Sequence, residues 1–157
     1  MQKIGSVLVA AAAVTAALGF SATSASAGSR VYYETVGEGD VEFIPACIPG
    51  PQNPGCDPRG AGSVFISWGD LSYTQGGAAV GTVRTECTTT HKVGDDYWGF
   101  CQDDLVTPEG NFTAIGLINE TGLERYEPQT LFIAGPPGGS LEVQQIVYPN
   151  VFKLTVN

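Results

Sequence analysis

Between Gly62 and Asn119 the chain alternates apolar and polar residues in four runs, cut at regular intervals by glycine, proline and aspartate. The cuts fall at TQGG after Tyr73, KVGDD after His91 and TPEG after Val106, the last a Pro-x-Gly turn signature. A period of two sends successive side chains to opposite faces of a strand, so four strands joined by three tight turns are predicted. Arg30 to Val36 (RVYYETV) reads as an earlier strand ended by GEGD. Thr130 to Ala134, Ser140 to Tyr148 and Val151 to Val156 read as three later ones, separated by GPPGG and by Pro149-Asn150. The charged ETGLERYEP between them reads as a loop, and no stretch shows the 3.6-residue period of a helix. Eight short strands in this order predict an all-β fold: an eight-stranded antiparallel up-and-down, calycin-like β-barrel whose mouth can hold one apolar ligand. A β-sandwich is the competing architecture.

The turns also set registers. Pairing the second and third runs about Gly94 puts Cys87 opposite Cys101, at the short separation a disulfide needs. Carried along the meander, the registers sort the side chains into two faces. One gathers Val64, Ile66, Trp68, Val83, Leu105, Phe112, Ala114, Ile118, Tyr97 and the two cysteines, with Asp70, Thr85 and Asp103 among them. The other gathers Phe65, Leu71, Arg84, Glu86, Trp98, Phe100, Gln102, Asp104, Ile115 and Leu117. The first is more apolar and is read as the interior. The second is mixed, as expected of an outer surface shared within a homo-oligomer. On it Arg84 and Asp104 fall opposite each other as a cross-strand ion pair.

Residues 1–27 read as a secretory signal peptide. Lys3 supplies the positive region, Val7 to Phe20 the apolar region and Ala25-Ser26-Ala27 the small-residue cleavage site. The apolar run is shorter than the roughly 20 residues of a membrane span, so cleavage before Gly28 and an extracellular product are expected rather than an uncleaved anchor. What remains, 28–157, is one domain. Four cysteines in an exported chain imply two disulfides. With Cys87 assigned to Cys101, Cys47 is left for Cys56. That bridge staples a loop at 41–60, which holds Pro45, Pro49, Pro51, Pro54 and Pro58 and cannot form a central strand or a helix. The stapled loop is placed as a lid over one end of the domain.

The chain carries a formal net charge of −9, and all sixteen acidic residues lie beyond residue 27. This argues against nucleic acid and anionic membranes as partners, since both demand basic patches. The cysteine intervals do not match the Cys-x2-4-Cys spacing of structural zinc, and no metal is expected. The single histidine, His91, sits at a hairpin end and supports no Ser-His-Asp set. The doublets Asp95-Asp96 and Asp103-Asp104 cannot converge on one substrate, because neighbours on a strand point opposite ways. Asp70 with Asp103 is the better carboxylate pair, either for acid–base chemistry or for hydrogen bonding at the rim.

The order of GDLSYTQGGAAVGTVRTEC, GDDYW, EGNFTAIG and finally LEVQQIVYPNVFKLTV resembles the allene oxide cyclase barrel-like family over most of 28–157. It is similar to the bacterial secreted branch of that family, and it also resembles spirotetronate-forming cyclases and dirigent-like barrels. The resemblance implies an eight-stranded barrel, often oligomeric, in which a flexible polyunsaturated substrate is folded and cyclised in an apolar cavity without a cofactor. In the plant enzymes a first-strand glutamate supports epoxide opening and an ordered water holds the oxygen. Glu34 matches that glutamate; its alternative is a solvent-facing carboxylate. The asparagine expected two residues later is Val36, Cys87 matches a pocket cysteine but is assigned here to a disulfide, and the late Gly-Gly-x-Gly turn is GPPGG.

Two functions follow. The first is a secreted cofactor-independent cyclase or isomerase acting on a polyene, epoxide or polyketide-like molecule, with Glu34 as the catalytic group and Tyr32, Trp68, Tyr97, Phe112 and Asp103 around the ligand. The second is a non-catalytic ligand-binding or surface-interaction barrel. Both name an apolar small molecule as partner.

Overall fold

The computed structural model describes residues 28–135 and 138–157. The expected signal peptide, 1–27, lies outside the described residues. Eight strands close into one antiparallel barrel in sequence order: β1 (Arg30–Ile44), β2 (Val64–Ser72), β3 (Gly81–Val93), β4 (Asp96–Thr107), β5 (Gly110–Asn119), β6 (Gln129–Ala134), β7 (Ser140–Val147) and β8 (Val151–Val156). Among the described residues a single short helix, α1 (Glu120–Glu124), follows β5 where a loop was expected. Asn119 starts it by accepting a hydrogen bond from the Gly122 amide. Among the described residues no helix is long and apolar enough to cross a membrane.

The two tight turns set the expected registers. Cys87 faces Cys101 across β3 and β4, and Leu105 faces Phe112 across β4 and β5. Both disulfides form as paired above, with Cα separations of 4.0 Å for Cys87–Cys101 and 5.8 Å for Cys47–Cys56. Arg84 and Asp104 are register partners. Their expected ion pair is displaced, because the Arg84 guanidinium binds Glu86 at 2.6 Å while Asp104 accepts from Thr113 and Gln102.

The β2 register differs from expectation by one residue. The segment after Tyr73 is not a tight turn: Gly76 takes a left-handed conformation, and pairing resumes with Leu71 opposite Gly81. A one-residue slip turns the whole strand over. Ser67, Gly69 and Leu71 therefore face inward, while Trp68 and Asp70 face solvent. β1 also runs further than expected. It breaks register between Val36 and Val41, then continues along β2 to Ile44, so the stapled loop begins at Pro45.

Tyr32, Leu71, Val83, Leu105, Leu141 and Leu154 fill the barrel at one end. There the Tyr32 ring stacks on Tyr73 and its hydroxyl donates to Glu109 in the β4–β5 turn, closing that end. Outside, Phe100 pairs with Leu117 and Ile115 with Phe132, an apolar stripe across β4, β5 and β6.

The β2 orientation has a direct test in urea titrations of two variants. Leu71→Ala should cost about 2–5 kcal/mol as a core cavity, whereas Trp68→Ala, which removes an exposed ring beneath Arg84, should cost less than about 1 kcal/mol. The reverse order would restore the other register.

Candidate functional site

Opposite the Tyr32 plug the barrel is hollow. The inward positions of β2 and β3 at this level are Ser67 and Thr85, too small to meet across the axis, and a cavity of about 530 Å3 remains. That volume suits one drug-sized molecule. Leu131, Val143, Ile118, Phe152 and the Cys87–Cys101 bridge form its apolar wall. Val41 and Phe43 of the β1 extension, with Phe65 and Tyr148, form a half-open apolar mouth.

Two carboxyls project into this space. Glu34 comes from β1, in register with Leu71 on one side and Phe152 on the other. It lies over Gly69, where a methyl group would come within 2.5 Å of the Glu34 side chain. Glycine at that position is thus a condition of the acid's placement. Glu34 is 4% exposed, and its Oε1 has no hydrogen-bond partner among the described residues. Burial, followed by the nearby charge of Asp103, pushes it up to about 8 from an ordinary 4.5. Asp103 comes from β4 between Thr85 and Ala114 and is 3% exposed. Burial pushes it up to about 6, the Thr85 hydroxyl opposing the shift. Burial thus favours the protonated form of both acids, more strongly for Glu34 than for Asp103. Two acids in one cavity, held apart in strength, are suited to separate tasks.

The rim is polar and braced. The Ser63 hydroxyl donates to Thr89, and Thr89 donates to Glu120 at the start of α1. Burial raises the Glu120 carboxyl. From the stapled loop Arg59 reaches the mouth, pairs with Glu124 at 3.0 Å and lies 4.7 Å over the Tyr97 ring. The Tyr97 hydroxyl in turn donates to Asp57 at 2.9 Å. The loop sits beside the opening as a braced strap.

Glu34, Asp103, Cys87 and Cys101 thus meet at the cavity. The aromatic candidates do not. Tyr32 plugs the far end, and Phe112 packs there on the core opposite Leu105. Trp68 is outside on the turned-over β2, and Tyr97 stands behind the rim as a post for Arg59. Asp70 also points outward, so it makes no pair with Asp103. Sequence reasoning missed Gln145, Thr89, Glu120 and Arg59 on the lining. The alternation Leu141, Val143, Gln145 carried a signal for the first, a polar residue at an inward position. Arg59 and Glu120 depend on how a loop and a helix fold back, which no periodicity encodes.

Residues 66–143 match the family model described as "Allene oxide cyclase barrel like domain". No curated protein matches the chain. Among solved structures, a pyocyanin demethylase superposes with a TM-score of 0.61 at 20% identity, over 82% of this chain and 99% of its own. The Diels Alderase AbmU from Streptomyces koyangensis superposes with a TM-score of 0.60 at 14% identity, over 82% of this chain and 63% of its own. AbnU, an exo-specific intermolecular Diels-Alderase, gives 0.60 at 14% identity, over 81% and 93%. At such identities the likeness is one of fold.

The buried acids make stability depend on pH. Between about 4.5 and 8 the unfolded chain has Glu34 ionised while the folded protein holds it protonated, so raising the pH favours unfolding. Asp103 adds the same slope between its ordinary 3.8 and about 6. Asp96, Asp104 and Glu109, shifted downward by their hydrogen bonds, lose their stabilisation only at lower pH. The unfolding free energy from urea titrations should therefore fall from pH 6 to 8, at about 1.4 kcal/mol per pH unit before Glu34 ionises. Glu34→Gln should flatten that slope, and an unchanged slope would mean that Glu34 is ionised when folded.

Proposed function

Given that the chain carries an allene oxide cyclase barrel-like domain across residues 66–143, we propose that it encloses one mostly apolar small molecule and acts on it as a cofactor-independent cyclase or isomerase. The observation that carries this reading is Glu34: a carboxyl buried in an apolar cavity, its protonated form favoured by that burial, with an oxygen that no group among the described residues engages. Such a group can donate a hydrogen bond to a carbonyl or epoxide oxygen and stabilise negative charge as it builds there. The walls hold a flexible substrate in one conformer and exclude water from the reacting atoms. Polyene, epoxide and polyketide-like skeletons fit this demand. That solved proteins of this fold are named Diels-Alderases and a demethylase supports small-molecule chemistry in the barrel. The two disulfides support export, with residues 1–27 as the signal peptide.

Val36 favours a second reading. It is buried and apolar, so it supplies no polar partner for a reacting oxygen near Glu34, as a barrel that binds without turnover would have it.

Native mass spectrometry of the protein from its own culture medium separates these readings. A retained ligand of roughly a few hundred daltons is expected, released on denaturation. With that molecule or its precursor in hand, Glu34→Gln should keep ligand affinity and lower turnover by about a hundredfold or more. Unchanged turnover would remove Glu34 from the mechanism, and no turnover in either protein would leave a binding barrel.

A further inference from the structure

Asp103 stands in the cavity without a countercharge. Its carboxyl is buried on the lining, Thr85 is the hydroxyl beside it, and among the described residues no cation forms an ion pair with it. The one cation on the lining, Arg59, is at the rim and already committed to Glu124. Against it the lining carries the carboxyl groups of Glu34, Asp103, Glu120 and Glu124. A fatty acid or any other carboxylate would bring its charge against Asp103, an acid of the lining left without a cation or a rim partner. A cation meets the opposite condition. A buried anion is costly when unpaired, so the site gains most from a ligand that supplies the missing charge. The unpartnered, buried Oε1 of Glu34 is a second polar group left open to the same space.

We propose that the cavity takes an apolar ligand bearing a basic nitrogen, its ammonium paired with Asp103 and its hydrocarbon or aromatic body packed on Leu131, Val143 and Phe152. Glu34 remains free to hydrogen-bond elsewhere on the same molecule. This inference rests on reading the cavity as a ligand site, and it does not depend on whether Glu34 turns the ligand over.

The test uses three fluorescent probes that share one ring system and differ in charge: 9-(aminomethyl)anthracene, 9-anthracenemethanol and 9-anthracenecarboxylate. Titrated into the disulfide-intact protein at neutral pH, the amine should bind at least about tenfold more tightly than the alcohol, and the carboxylate most weakly. In Asp103→Asn the amine should lose its advantage over the alcohol. Where that variant fails to fold, equal binding of amine and alcohol by the unmodified protein still overturns the inference. Equal binding of amine and alcohol, or an amine preference that survives Asp103→Asn, would overturn the inference while leaving the cavity as a ligand site. No binding of any probe would overturn both.

Discussion

Closure of the barrel through β1 is the constraint on which the other features depend. The first half of β1 is paired on both sides, to β8 from Arg30 to Thr35 and to β2 from Tyr33 to Val36. Past the break in register it is paired on one side only, to β2. Where both ladders hold, inward side chains meet across the axis and fill the interior. Beyond that point β1 continues without β8, and Val41 and Phe43 line an opening instead of a core. The cavity, its mouth and its apolar collar are consequences of that one-sided extension. Glu34 sits where the two regimes meet, still held by both neighbours and already facing empty space.

The meander from β3 to β5 was legible because its turns are tight and the cysteine pair checks the register independently. The link from β2 to β3 carries the same turn residues, but Tyr73 to Val80 forms a longer excursion, and one residue of slack turned β2 over. That single displacement moved Trp68 and Asp70 from the inferred interior to the surface and brought Ser67 and Gly69 inside. The five-residue α1 is too short to show a period and owes its start to the Asn119 cap. The five prolines limited how long the loop between β1 and β2 had to be, yet they could not show that Val41 to Ile44 would pair first.

The candidate site divides along the same line. Asp103 followed from alternation along a strand whose register was correct, and Glu34 came only through the family likeness. The aromatic residues were misplaced for a physical reason. In a barrel that must stay hollow at one end, large rings serve better as stoppers and posts than as walls around the ligand. Tyr32 and Phe112 seal the filled end, and Tyr97 supports Arg59. The ligand space borders residues with little side chain, Ser67 and Thr85, and Glu34 has its place there only because Gly69 carries no side chain; such residues carry weak sequence signals.

Placing two acids in an apolar interior works against folding, and the architecture contains an offset beside them. The Cys87–Cys101 bridge joins strands at the cavity wall across a sequence separation of 14, a loop for which chain-entropy arguments give about 3 kcal/mol of stabilisation. It also fills wall area that larger side chains would otherwise occupy, leaving the hollow open. A core packed with leucine at Ser67 and Thr85 would gain stability from burial and lose the space. The bridge stabilises the barrel without filling it. A hollow, acid-lined interior and a covalently tied wall are therefore two parts of one solution, and the acids persist because the fold does not rely on packing alone where they stand.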